Sequence, residues 1–144
     1  GIPIIIGGGG PKRTPNLAAR FAAEFNCAFG SPDTFKEQTE RVSQACESIG
    51  RDPESIIFSV AQVVCVSDSE QEFSKRAERI GRSPTELREN GVAGMPEEAV
   101  SRILAFQEAG ATRIYLQVLD EDDLDHVTFI AESIAPLLQG GADA

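Results

Sequence analysis

The sequence predicts an α/β fold with a parallel sheet, assembled from strand–helix units repeated along the chain. Three observations carry this. Ile4–Ile6 and Ile56–Val66 are β-branched runs that read as buried strands. Helical apolar patterns follow each strand segment in turn. Glycines and Ser-Pro pairs separate the segments. Helices that regularly follow strands call for parallel pairing. From pattern alone, four such units fit either half of a (β/α)8 barrel or a small open doubly wound sheet.

The first strand spans roughly residues 3–6. The helix after it places Leu17, Ala18, Phe21, Ala22 and Phe25 on one apolar stripe. A short run at Asn26–Phe29 fits a brief strand. Ser31-Pro32 then opens a helix, Ser31 as N-cap and Pro32 at the first position. Its buried face is Phe35, Thr39, Val42, Cys46 and Ile49, with Gly50 as stop and a turn at Arg51-Asp52-Pro53. Ile56–Val66 is the strongest strand signal. Ser67-Asp68-Ser69-Glu70 has capping-box spacing and leads a helix with Phe73, Ala77 and Ile80 inward, broken at Gly81. Ser83-Pro84-Thr85-Glu86 caps a short helix ending near Asn90-Gly91. Met95-Pro96 opens another, with Ala99, Val100, Ile103 and Leu104 buried and Gly110 as stop. Thr112–Leu119 is a strand with Ile114, Leu116 and Val118 on one face and Arg113, Tyr115 and Gln117 on the other. Asp122 or Asp123 caps a last helix with Leu124, Val127, Ala131, Ile134 and Leu137 inward. Residues 1–138 read as one folded unit and 139–144 as a flexible tail.

The chemistry concentrates between the first strand and its helix, at Gly7-Gly8-Gly9-Gly10-Pro11-Lys12-Arg13-Thr14. Bare backbone followed by a helix start can hold a phosphate, because unscreened N–H groups and the positive helix end converge there. The P-loop is excluded, since Pro11 separates Gly10 from Lys12 and Arg13 precedes Thr14. The Rossmann fingerprint counted from Gly7 needs a glycine where Lys12 stands. A tight turn that binds nothing accounts for one or two glycines, each costing about 0.5–1 kcal/mol of order. Four in succession favour a ligand. Lys12 and Arg13 oppose the helix dipole, which makes sense beside an anion; solvated surface charge is the alternative.

The bulk composition narrows the partners. The chain has 144 residues, 41% hydrophobic, enough for one modest domain with a core. A net charge of −10 argues against nucleic acid. No apolar run is long enough to span a bilayer. Cys27, Cys46 and Cys65 lack CxxC spacing and read as small buried hydrophobes in a reducing cytoplasm. A single histidine rules out a histidine-rich metal site, and the acidic run Asp120–Asp125 lacks the EF-hand glycine and terminal glutamate. The chain opens on Gly1-Ile2-Pro3 without Met and enters a strand almost at once, which points to a piece of a longer protein.

Pro3-Ile4-Ile5-Ile6-Gly7-Gly8-Gly9-Gly10-Pro11-Lys12-Arg13-Thr14, with Leu17–Ala22 after it, resembles the C-terminal half of luciferase-like monooxygenases. More narrowly, it is similar to the branch that depends on the deazaflavin coenzyme F420. Gly50-Arg51-Asp52-Pro53 and Gly110–Asp120, with Asp123-Leu124-Asp125-His126, match as well, so the resemblance covers Pro3 to Leu138. It implies a (β/α)8 barrel of about twice this length, of which this chain is strands five to eight. It implies an oxidoreductase or monooxygenase in which Gly7, Gly8, Gly9 and Gly10, with Lys12 and Arg13 beside them, hold the phosphate of F420 or, alternatively, FMN. The family's usual catalytic side chains lie in the other half, so this chain alone is expected to be inactive. The competing reading is a non-catalytic half-barrel that binds phosphate or serves assembly.

Other residues carry weaker expectations. Phe29, Gly30 and Ser31 border the second loop and are candidates for a small-molecule substrate site, with Ser31 also explained as a cap. Gln117 is in phase with Tyr115 near a strand end, where either a ligand contact or a hydrogen-bonded core glutamine fits. His126 lies among Asp122, Asp123 and Asp125, which favour its protonated form, and without a partner nucleophile it reads as a surface residue. The expected partner is a second copy of the chain or the missing N-terminal half, because four parallel strands leave two open edges.

Overall fold

The computed structural model describes residues 1–139. It carries the predicted architecture: strands β1 (Ile5–Gly7), β2 (Glu24–Ala28), β3 (Ile57–Val66), β4 (Val92–Gly94) and β5 (Arg113–Gln117) alternate with helices. The helices are α1 (Arg13–Phe21), α2 (Pro32–Ser48), α3 (Glu70–Arg79), α4 (Pro84–Asn90), α5 (Pro96–Glu108), α6 (Leu124–Phe129) and α7 (Ala135–Gln139), with a π-helical turn at Ile130–Ile134 joining the last two. Gln139, expected in the tail, ends α7; Gly140–Ala144 lie outside the described residues. The chain forms two compact units, Gly1–Ala61 with Ala105–Tyr115, and Gln62–Leu104 with the residues from Leu116 onward.

In the first unit β1 pairs parallel with β2, matching Ile5 to Glu24 and Gly7 to Asn26. β2 pairs parallel with β3, Glu24 to Ile57 through Ala28 to Ala61. β5 also pairs with β3, and the Thr112 N–H donates to the Phe58 carbonyl at 3.0 Å. Alternate strand residues Phe25, Cys27 and Val60 enter a core with Ala18, Ala19 and Ala22 from the first helical segment, Phe35, Val42 and Cys46 of α2, and Phe106. Phe35 and Phe106 meet edge to face, centroids 6.1 Å apart, the arrangement their ring quadrupoles prefer.

The first helix is shorter than its stripe predicted. Ala22 is already extended, and Arg51 donates to the Ala19 and Ala22 carbonyls at 3.0 and 2.7 Å, closing the helix end from a distant turn. Phe25 therefore belongs to β2, and Leu17 and Phe21 are exposed. α2 follows its sequence signal closely. Ser31 Oγ accepts from the Thr34 N–H at 3.1 Å, Pro32 leads, and Phe35, Thr39, Val42 and Cys46 are buried, although Ile49 is exposed.

In the second unit β3 pairs parallel with β4, Val64 to Val92 and Val66 to Gly94. β4 is the strand that periodicity misses, because three residues show none. A side chain on Gly91 would lie 2.8 Å from the Val63 carbonyl, so glycine is what allows the chain to approach β3 there. Val63, Cys65, Phe73, Ala77, Leu87 and Ala93 form this unit's core. The N-cap of α3 is Ser69, accepting from Glu72, two residues beyond the capping box expected at Ser67. Arg88 ties α3, α4 and α5 together by pairing with Glu70 and Glu98 while its guanidinium lies 4.5 Å from the Phe73 ring centroid. In α5, Ala99 and Ile103 are buried as expected, but Leu104 is exposed and Val100 half-buried. Among the described residues no helix is long and apolar enough to cross a membrane.

Candidate functional site

β1 and β2 run parallel, so the loops that leave their C-terminal ends emerge on the same edge of the first unit. The first loop is Gly7–Gly10. Gly8 has φ +135°, which L side chains rarely adopt. A Cβ on Gly8 or Gly10 would sit 3.3 or 3.1 Å from Thr14 Oγ1, and one on Gly7 would sit 3.1 Å from the Asn26 carbonyl. The loop thus lies close against the Thr14 hydroxyl, where an added side chain would crowd it. At Gly9 the sole atom within 4 Å of the missing Cβ is Gln38 Nε2, at 3.5 Å.

α1 starts immediately after this loop, and its N-terminus differs from those of α2, α3, α4 and α6. Ser31, Ser69, Ser83 and Asp123 each accept a first-turn N–H in those helices. The N-cap of α1 is Lys12, with no side-chain cap and no acidic residue in the first turn. That helix end carries no side-chain cap, and Lys12 and Arg13 are exposed beside it. At Gly8–Gly10 a phosphate fits the chemistry of the lining, a hydroxyl, an amide N–H2 and a bare glycine backbone; the Asn26 carbonyl, an acceptor, lies only at Gly7, and no carboxylate is among the atoms nearest the loop.

The second loop, Phe29–Ser31, lies against the same helix. A Cβ on Gly30 would be 3.1 Å from Thr34 Cγ2, and Thr34 and Gln38 are one turn apart on α2. Within the first unit the fold therefore brings together Gly7–Gly10, Lys12, Arg13 and Phe29–Ser31. Gln117 belongs to the second unit, exposed at the end of β5.

Residues 1–90 match the family described as luciferase-like monooxygenase. The chain belongs to that family. No curated protein matches the sequence. The luciferase-like chain is similar in fold to the coenzyme F420-dependent tetrahydromethanopterin reductase from Methanopyrus kandleri, at 15% identity and TM-score 0.72, covering 94% of this chain and 51% of that one. It is similar to an F420-dependent secondary alcohol dehydrogenase solved with an F420–acetone adduct, at 17% identity and TM-score 0.75, covering 93% and 48%. It is also similar to the oxygenating constituent of 3,6-diketocamphane monooxygenase from the CAM plasmid of Pseudomonas putida, solved with FMN, at 19% identity and TM-score 0.66, covering 93% and 48%. The luciferase-like chain spans about half the length of these proteins.

Sequence reasoning missed two polar clusters in this luciferase-like chain. Glu24 opens β2 and is buried, accepting from the Tyr115 hydroxyl at 2.8 Å and from Arg113 Nη1 at 2.5 Å. Burial pushes its pKa up, but hydrogen bonds from Ser59 and Tyr115 and the Arg113 charge outweigh that and hold it below the ordinary carboxylate range. Polar residues at Glu24 and Asn26, two apart, were the available signal for a strand face. This cluster sits at the N-terminal end of β2, the end opposite the loops, and reads as structural.

The second cluster corrects the reading of His126. It is buried, not on the surface, and its Nε2 accepts the Val66 N–H at 3.0 Å, a bond only a neutral Nε2 can make. Arg76 Nη1 donates to the Val66 carbonyl at 2.9 Å and Arg76 Nε to Asp123 at 3.0 Å, so both backbone groups of the last β3 residue are held by side chains. Burial first and the Arg76 charge second lower the His126 pKa, against Asp123 and Asp120. Burial pushes the neighbouring Cys65 thiol up to about 11, which leaves it an inert core residue. In the last helical segment Ile134 is buried, while Leu124, Val127, Ala131 and Leu137, expected inward, are exposed.

Because the folded state binds the His126 proton less readily than the unfolded chain, acid favours unfolding. The contribution is complete above the unfolded value near 6.5 and is lost as pH falls from there through the lower folded value. The urea midpoint is expected to drop between pH 7.5 and 5, and His126→Gln, whose carbonyl accepts at every pH, is expected to flatten that drop. An equal drop in both proteins would refute the assignment. Among the described residues no group of His, Cys, Asp and Glu side chains is arranged to hold a metal ion.

Proposed function

We propose that this chain is the cofactor-phosphate-binding half of a flavin- or F420-dependent oxidoreductase of the luciferase-like class. The observation that carries the reading is the glycine loop beside the uncapped start of α1, with Thr14 Oγ1 and Gln38 Nε2 as the atoms nearest the missing side chains of Gly8, Gly9 and Gly10. Family membership supports it, as do fold relatives solved with F420 or with FMN. The cofactor, when bound, supplies the hydride or electron transfer. The chain's own residues bind and orient it: the N–H groups around Gly8–Gly10 and the first turn of α1 take the phosphate, and Lys12 and Arg13 offset its charge. F420 is the first expectation and FMN the alternative.

A non-catalytic phosphate-binding module is the second reading. It is favoured by the use of the single histidine as a structural acceptor, which leaves it unavailable as an acid or base.

Gly9 gives the cleanest test. Its φ is not in the left-handed region and its Cβ position is open except for Gln38, so a side chain there fills the cradle without straining the loop. Gly9→Val is expected to weaken F420 and FMN binding at least about tenfold, measured by calorimetry, with an unchanged far-UV spectrum. Unchanged affinity for the ligand that the natural chain binds would exclude the loop as the phosphate site.

A further inference from the structure

Phe29 stands out in the first unit by its backbone and its exposure together. It is the non-glycine residue with a positive φ, +58° among the described residues, and it is 54% exposed. For a bulky aromatic residue that conformation is an outlier that needs a reason. Continuing the alternation of β2 would place Phe29 on the side of Phe25 and Cys27, each 1% exposed, in the apolar core. The chain instead breaks the strand and gives the ring to the outside.

The corner that does this is firmly held. The Phe29 N–H donates to the Ala61 carbonyl at 2.9 Å. Gly30 is wedged so closely that a Cβ would lie 3.1 Å from Thr34 Cγ2 and 3.5 Å from Cys27 Sγ. Ser31 closes the corner as the cap of α2. A strained and well-braced backbone that exposes an aromatic ring is what a ligand platform needs.

Its position says which ligand. The corner at Gly30 touches Thr34 and the glycine loop approaches Gln38, so the two loops lie about one helical turn, about 5.4 Å, apart along α2. We propose that Phe29 is the aromatic platform for the planar redox ring of the cofactor whose phosphate the glycine loop holds, and so a cofactor contact rather than part of the substrate site. This rests on the phosphate reading above. A flavin or deazaflavin carries its ring on a short sugar-alcohol chain from the phosphate, long enough to cross that separation. Ring on ring contact, edge-to-face or offset, would recognise the flat part of either cofactor without choosing between them.

The test uses the full chain with three probes: FMN, F420 and D-ribose 5-phosphate, which has a phosphate but no ring. Phe29→Gly removes the ring and relieves the backbone together, so its thermal midpoint is expected to be no lower than that of the natural chain. The variant is expected to lose about five- to tenfold in affinity for the ringed ligand and nothing for D-ribose 5-phosphate, and Phe29→Tyr is expected to restore binding. Equal losses for ringed and ringless probes, or no loss, would overturn the platform. If the natural chain binds D-ribose 5-phosphate as tightly as FMN and F420, the platform falls and the phosphate reading stands. If it binds none of the three, the phosphate reading falls and Phe29 with it.

Discussion

Asp123→Ala is expected to cost about 3–5 kcal/mol of folding stability, because it leaves the Arg76 guanidinium buried without its counter-charge. The Asp123 side chain is 6% exposed and that of Arg76 14%, so water cannot easily replace the lost partner. Asp123 also caps α6 by accepting the His126 N–H at 3.0 Å. Burial raises its pKa, but hydrogen bonds from Arg76 and the His126 N–H prevail and keep it below the ordinary carboxylate range. The two roles separate in a second variant. Asp123→Asn keeps an acceptor for the cap but removes the charge, and it should retain about 1 kcal/mol that the alanine loses. Urea unfolding of both, with Arg76→Met and the double variant completing a cycle, measures the coupling. A loss below about 1 kcal/mol for Asp123→Ala would mean that the pair is solvated and that the end of β3 is held by other contacts. Since domains of this size have about 5–15 kcal/mol in hand, the expected loss is a large share of the whole.

The parts of this fold that were legible in sequence are those whose cause is local. Ser31-Pro32 and Ser83-Pro84 cap helices because a serine oxygen reaches an N–H three residues on, and that requires nothing beyond the segment. Ile57–Val66 forms a strand because its β-branched run suits burial on both faces. The glycine run was legible as a loop between β1 and α1, because four residues without side chains in succession suit neither a strand nor a helix. What escaped reading depends on distance. His126 looked like a surface residue in an acidic stretch, yet its partner is a backbone N–H 60 residues away, and nothing near it in the chain signals that contact. Phe25 fitted a helical stripe at i+4 from Phe21 until Arg51, drawn from a separate turn, closed the helix early. Nothing in the sequence near Gln38 points to the site, because its relation to Gly9 exists only once α2 has docked.

The isolated chain is expected to associate, with its weight-average mass rising from that of one chain toward that of two as concentration increases. Among the described residues β1 pairs on one side only, with β2, and its free side presents unpaired backbone groups. The side chains there are apolar: Ile4 is 51% exposed and Ile5 56%. Ile5, Glu24 and Ile57 lie in one row across β1, β2 and β3. The central carboxylate of that row is already satisfied by Arg113 and Tyr115, so the row offers a partner apolar contact without an unpaired charge. We propose a two-fold dimer in which β1 of one chain lies beside β5 of the other, a self-complementary contact. Each buried isoleucine is worth about 1.5–3 kcal/mol, and a two-fold contact counts it twice. Ile5→Lys, a charge on the edge strand at an exposed position, should therefore weaken association on the order of a hundredfold or more without harming the fold. Sedimentation of both proteins over a wide concentration range gives the answer. A second polypeptide supplying complementary strand–helix units is the rival occupant, and a chain that stays monomeric alone but forms a one-to-one complex with such a partner would assign the edge to it. An association untouched by Ile5→Lys would place the contact elsewhere, on the exposed Leu124, Val127 and Leu137 of the last helical segment.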